Sequence, residues 1–402
     1  MTEHAFDRAR LQRMRAVMSG YVERGAIPGI VTLVARQDEV HVEVIGTRAL
    51  NESDPMRRDT IFRIASLTKP IAAAAAMILV EECRLRLDEP VDRWLPELAG
   101  RRVLKRIDAE LDDTVPARRS ITLRDLLTLR MGIGSVMAPP GTYPIQRAIA
   151  ELRIGGDGPP KPAQSPPADE WMRRLGSLPL LHHPGEQWCY HIGMDVLGVL
   201  IARASGRSLG EFMQERIFAP LGMRDTGFSV PPEKLQRLPA CYQGTADGRG
   251  LRLYDGIADS QWGQPPPFES GGGGLVSTVD DYYAFCRMML NKGRHGRERI
   301  LSRASVELMT TDQLTPEQRE ANPIFFDGNS SWGFGMGVLT RRDDLASVPG
   351  QFGWTGGLGT SAYSDPREDL IGILMTQRLM DSPEPPAVFS DFWTTAYQAI
   401  AD

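Results

Sequence analysis

Strand-type patterning lies near both ends of this chain, and helix-type patterning fills the long interval between. Residues 29–35 and 40–45 are valine- and isoleucine-rich runs split by Gln37-Asp38-Glu39, which reads as an antiparallel hairpin. Far downstream, residues 332–339, 359–364 and 370–376 are further strand candidates. Phe6, Leu11, Met14, Val17 and Tyr21 recur at helical spacing over residues 5–24, and residues 387–401 read as a closing helix. The simplest topology is an α+β fold. One antiparallel sheet is completed by both chain ends and flanked by the terminal helices, and a mostly helical domain is inserted. The expected division is an α/β part over 1–82, a helical part over 83–270 and the rest of the α/β part over 271–402.

A length of 402 residues is too great for one simple core and suits this two-part plan. The net charge of -5, with no dominant basic patch, argues against a nucleic-acid partner. Cys83, Cys189, Cys241 and Cys286 are widely spaced and form no CxxC pair, so neither a metal cluster nor a disulfide framework is expected. The first residues are charged and lack an apolar signal core, and the longest apolar run, 71–80, is about half a membrane span. The expectation is a cytoplasmic protein that works without membrane, metal or cofactor. Its oligomeric state is not legible.

In the middle, Thr122-Leu123-Arg124-Asp125 opens a helix with a capping-box pattern, and residues 195–204 and 209–217 read as two more helices. Residues 135–170, with Pro139-Pro140, Gly155-Gly156, Pro159-Pro160 and Pro166-Pro167, read as an irregular pocket wall. Gly206-Arg207-Ser208-Leu209-Gly210 matches GxSxG, but a helix precedes it where a nucleophile elbow needs a strand. Gly206 suits a helix C-terminus, and Ser208 with Glu211 suits the next N-cap, so Ser208 is not the expected nucleophile. Adjacent His182 and His183 lack a third metal ligand and read as a turn. The glycines of Ser270-Gly271-Gly272-Gly273-Gly274 lack a phosphate loop's GK[ST] ending and read as a place of tight backbone approach.

Ser66-Leu67-Thr68-Lys69 is an SxxK tetrad between a strand-like segment, 62–65, and an alanine-rich helix expected over 66–83. Three residues apart on a helix, the two side chains share a face, which brings the amine to the hydroxyl. A desolvated lysine has a depressed pKa and can draw the proton from a serine that is otherwise a poor nucleophile.

Other stretches follow in a telling order. Pro184-Gly185 precede Trp188-Cys189-Tyr190-His191-Ile192-Gly193, and Gly353-Trp354-Thr355-Gly356-Gly357 precedes a strand. With residues 61–70, 121–132, 183–198, 217–228, 270–281 and 353–366, the chain resembles the serine β-lactamase and penicillin-binding-protein superfamily. It most resembles the class C β-lactamase-like group and the class VIII carboxylesterases.

The resemblance implies that Ser66 is acylated and that Lys69 and Tyr190 move protons. It implies that Trp354-Thr355-Gly356 edges the site, and that the amides of Ser66 and Gly357 form the oxyanion hole. Ile192 stands where the family's YxN motif has asparagine, and Trp354 where its third motif has lysine or histidine. Both changes imply a more apolar substrate-binding pocket; His191, beside Tyr190, reads either as a residue of its rim or as a structural one. The expected substrate is a small-molecule ester. β-Lactamase or D-amino-acid peptidase activity, acyl transfer from the same acyl-enzyme, and a non-catalytic scaffold are the competing expectations.

Overall fold

The computed structural model describes residues 4–155, 158–245, 247–248 and 250–401. Helix α1 (Arg8–Glu23) begins where the Asp7 side chain accepts from the Arg10 amide. It leads into a hairpin of β1 (Gly29–Arg36) and β2 (Glu39–Gly46). The long central region contains helices α2 (Thr68–Glu81), α3 (Ile192–Ser205) and α4 (Val279–Leu290) among shorter turns and ladders. Strands β3 (Ser330–Trp332), β4 (Gly337–Leu339), β5 (Phe352–Gly356), β6 (Thr360–Asp365) and β7 (Leu370–Thr376) follow, and α5 (Ala387–Gln398) closes the chain.

The strands form one seven-stranded antiparallel sheet in the order β3-β4-β5-β6-β7-β1-β2. The chain ends meet inside it, with Ile30 opposite Thr376 and Arg36 opposite Leu370. Alternation along β1 and β7 explains why both are nearly continuous apolar runs. Ile30, Val34, Leu370 and Leu374 face α1 and α5, in a core with Met14, Met18 and Phe392. Val31, Leu33, Ile371 and Ile373 face the opposite core, with α2. Burial on both faces removes any need for a polar alternate position. Helix α2 is likewise surrounded, since residues 71–79 are each at most 3% exposed. Its alanine run keeps the side chains short where α3 packs against it.

Four expectations change. Residues 332–339 are not one strand, because Gly335 at φ +71° turns the chain between β3 and β4. The approach to the tetrad is a strand of only Phe62–Arg63, paired with Val276–Ser277. Ile64 already leaves the extended conformation, Ala65 follows at φ +44°, and a 3₁₀ turn over Ala65–Leu67 precedes α2. The segment 135–170 contains a helix, Pro144–Glu151, and a 3₁₀ turn, Pro162–Gln164; Gly156 lies outside the described residues. The helix from Leu209 is α-helical only to Met213 and continues with wider π turns over Gln214–Phe218. The capping boxes at Thr122–Asp125 and Ser208–Glu211 are present, and Gly206 is left-handed at the end of α3.

Candidate active site

Ser66 sits in the 3₁₀ turn and Lys69 one turn later, in the first turn of α2. The Lys69 Nζ donates to Ser66 Oγ at 2.9 Å. Lys69 is fully buried, and burial pushes its amine down to about 7, against a smaller upward pull from the Asp195 charge. An amine so depressed is chemically able to take a proton from the hydroxyl it touches.

Tyr190 faces the cleft beside Ser66. Burial pushes its phenol up to about 12, although the neighbouring Ser66 hydroxyl and the Trp354 N–H oppose that rise. It is therefore a neutral acid at physiological pH. Its ring lies in an aromatic cluster, with centroids 5.4 Å from Trp188 and 5.0 Å from Phe325. The Lys69 Nζ lies 4.5 Å from the centroid of the Tyr190 ring.

His191 occupies a γ-turn. Its backbone is at φ 79°, ψ -67°, and the Tyr190 carbonyl accepts from the Ile192 amide at 3.3 Å. In an extended strand, neighbouring side chains point to opposite faces; this turn brings both Tyr190 and His191 to the cleft. The His191 Nδ1 lies 3.2 Å from Lys69 Nζ, and its Nε2 lies 3.1 Å from Asp195 Oδ2. The Gly272 carbonyl accepts from Lys69 at 2.6 Å. Asp195 also accepts from Ser270 Oγ at 2.5 Å and from the Gly272 amide at 3.0 Å. Burial works to raise the Asp195 carboxyl, but the His191 ring, the Ser270 hydroxyl and the Gly272 amide outweigh it and hold the group below the ordinary carboxylate range.

Strand β5 forms the other edge. Trp354 points inward and donates from Nε1 to the Tyr190 oxygen at 2.8 Å. Gly337 on β4 makes room for the indole, since a methyl there would lie 2.8 Å from its ring. Thr355 lines the cleft and Gly357 opens into it, while Gly356 packs behind, where a methyl would lie 2.4 Å from the Ile64 carbonyl oxygen. Of the glycines at 271–274, Gly271 is a place of tight backbone approach, where a methyl would lie 2.5 Å from the Met194 oxygen; Gly272 and Gly274 are crowded by the Asp195 and Phe228 side chains, and Gly273 has ordinary clearance.

The cleft has a volume of about 1720 Å³. Its wall includes Val136, Ile154 and Pro160 from the 135–170 segment, and Trp262, Phe268 and Phe325 from elsewhere. Ile192 is buried and borders a smaller adjoining cavity of about 490 Å³ rather than the cleft that Ser66 lines. Sequence reasoning missed Asp195, Ser270 and Gly272 as site residues. The four-residue spacing of His191 and Asp195 at the start of a helix was the available signal. Among the described residues, no group of three or more His, Cys, Asp or Glu side chains is arranged to hold a metal ion, and no helix is long and apolar enough to cross a membrane.

These features place the chain in a class defined by sheet, tetrad and opposed tyrosine. Residues 14–388 match the Beta-lactamase family, and the chain belongs to it. It is 39% identical over 370 residues to Protein Rv1367c of Mycobacterium tuberculosis, covering 89% of this chain and 88% of that one. It is 31% identical over 414 residues to Esterase EstB of Burkholderia gladioli, covering 96% and 95%. The structure of EstCE1, described as a hydrolase with promiscuous acyltransferase activity, superimposes with a TM-score of 0.80 at 25% identity, covering 97% and 98%. The protein is an enzyme of the β-lactamase-like serine hydrolase type.

Proposed function

We propose that this enzyme hydrolyses carboxylic esters through an acyl-enzyme on Ser66. The observation that carries the reading is the 2.9 Å contact to Ser66 Oγ from a fully buried Lys69 amine held down to about 7, with the Tyr190 ring centroid 4.5 Å from that amine. Lys69 takes the Ser66 proton as Oγ attacks the ester carbonyl. The developing oxyanion is held by the Ser66 and Gly357 amides. Tyr190 gives its proton to the departing alkoxide and recovers one from Lys69, and water then repeats the sequence to release the acid. Trp354, Thr355 and His191 edge the substrate, while Gly356 packs behind them and Ile192 borders the adjoining cavity.

Trp354 favours neutral esters over β-lactams, because it puts an indole where a cation would meet a substrate carboxylate. Acyl transfer to a second alcohol is the other reading, supported by the EstCE1 likeness. The division at residues 82/83 and 270/271, with the cleft between a sheet part and a helical part, belongs to this proposal. So does a reducing cytoplasmic setting, which fits four unpaired thiols.

The test is a screen of aryl and alkyl esters with wild type and Ser66→Ala, together with mass spectrometry after fluorophosphonate treatment. The expected result is an adduct on Ser66 and loss of turnover in the variant. Full turnover by Ser66→Ala overturns the proposal.

A further inference from the structure

Three acceptors surround the Lys69 amine: Ser66 Oγ at 2.9 Å, the Gly272 carbonyl at 2.6 Å and His191 Nδ1 at 3.2 Å. A neutral amine has two N–H bonds and one lone pair. Its lone pair is directed at Ser66 when its two N–H bonds are taken up by the other two groups. The Gly272 carbonyl is always an acceptor. His191 Nδ1 is one only in the tautomer that carries its proton on Nε2, and Nε2 is the nitrogen that faces the Asp195 carboxylate at 3.1 Å.

We infer that His191 is a positioning residue, held by Asp195 in the Nε2–H tautomer so that its Nδ1 fixes an N–H of Lys69 and turns the amine's lone pair onto Ser66. The inference deepens the ester-hydrolase reading and rests on it. Asp195 organises both acceptors: Oδ2 sets the His191 tautomer, and Oδ1 pins the Gly272 amide and the Ser270 hydroxyl. The proton balance is complete without rearrangement. Ser66 Oγ–H passes its proton to the Lys69 lone pair, and the resulting ammonium places three N–H bonds on the same three acceptors. Such preorganisation is what lowers a proton-transfer barrier in a buried site. The strained γ-turn is the backbone feature that brings His191 within reach. Among the described residues, the charged and titratable groups facing the amine are His191 and Asp195 beside and on α3 and Tyr190 just before it.

Asp195→Asn tests this directly. The amide oxygen can still accept from Ser270 and Gly272, while its NH₂ meets His191 Nε2. That forces the ring proton onto Nδ1, where it competes with Ser66 for the lone pair. The expected result is a kcat loss of roughly 10- to 100-fold with little change in KM, in the sense seen when a catalytic histidine is held in the wrong tautomer. Nitrogen-15 NMR of labelled histidine should show His191 protonated on Nε2 in wild type and on Nδ1 in the variant. A second pair keeps Asp195 bound to Ser270 and Gly272: His191→Asn retains an acceptor near the Nδ1 position and should stay within about fivefold of wild type, whereas His191→Leu should lose at least about tenfold in kcat. Wild-type kcat in folded Asp195→Asn or His191→Leu, or a wild-type ring protonated on Nδ1 across the active pH range, overturns the inference. Ser66→Ala, run in parallel, keeps the two claims separate. Its activity bears on the nucleophile, and an inactive Ser66→Ala beside a fully active Asp195→Asn sinks the tautomer argument alone.

Discussion

The Trp354 indole nitrogen donates to the Tyr190 phenolic oxygen at 2.8 Å, so the residue replacing the family's usual cation is tied to the group proposed as general acid. The oxygen accepts from the indole, which leaves its own O–H to point at Ser66 or at a leaving alkoxide. Trp354→Phe keeps the packing against Trp332, whose ring centroid is 4.7 Å away, but removes the donor. A single neutral hydrogen bond is worth about 0.5–1.5 kcal/mol, so kcat should fall roughly two- to tenfold. Since the indole bond lowers the phenol's pKa, the variant's phenol should titrate higher still. Steady-state kinetics on one ester, with ultraviolet titration of the phenol, would check both.

The pH profile follows from two groups that must both be neutral. Lys69 is pushed down to about 7 by burial and Tyr190 up to about 12. The kcat/KM profile should rise through an acid limb near pH 7 and then stay flat well into the alkaline range. A group with a depressed base pKa gains its active form as pH rises, so the limb must ascend. A descending limb near pH 7 would remove Lys69 from the role of base.

Lys69 should also cost stability. The unfolded chain holds this proton up to 10.5, and the folded chain only up to about 7. The penalty is therefore complete below pH 7 and fades as pH rises to 10.5, where neither state is charged. Lys69→Met removes the penalty but leaves the Gly272 carbonyl without its donor. The net expectation is an inactive variant more stable by about 1–3 kcal/mol at pH 6.5, with the gain shrinking toward pH 9.5. Urea denaturation at the two pH values measures this. A variant less stable than wild type at pH 6.5 would show that Lys69 is held as a satisfied ion.

The parts of this protein legible in its sequence are those in which a local pattern decides the outcome. The 66–69 spacing, the Ser208–Glu211 cap that disqualifies the GxSxG match, and the β1–β2 hairpin all depend on neighbours within a few residues, whereas the pairing of β1 with β7 joins opposite ends of the chain. His191 and Asp195 were harder to read because their roles depend on backbone geometry. Nothing in the letters Tyr-His-Ile announces a γ-turn, and without it His191 would face away from Tyr190. The helix at Pro144–Glu151 was masked by flanking proline and glycine, although Pro144 at its first position and buried Ile145 and Ile149 four apart were helix signals. The expected strand ended at Ile64 and Ala65, the latter at a positive φ that alanine rarely adopts, so composition pointed the other way.

Two adjacent glycines separate packing from chemistry at the oxyanion edge. A methyl at Gly356 would lie 2.3 Å from Thr360 Oγ1 and 2.4 Å from the Ile64 carbonyl oxygen, so β5 must move away from the nucleophile's turn. Gly356→Ala should lose about 1–3 kcal/mol of stability, as overpacked sites do, and most of its activity. A methyl at Gly357 meets nothing within 4 Å. The group assigned to the oxyanion there is a backbone N–H, which Gly357→Ala keeps. That variant should fold as stably as wild type and retain acylation rates within a few fold, whereas replacing the amide at position 357 by an ester linkage should lower kcat by roughly 10²- to 10³-fold. Thermal melts separate the packing effect from the chemistry, and pre-steady-state acylation of the semisynthetic protein reads the donor alone. A Gly357 ester variant that acylates at the wild-type rate would move the oxyanion hole elsewhere.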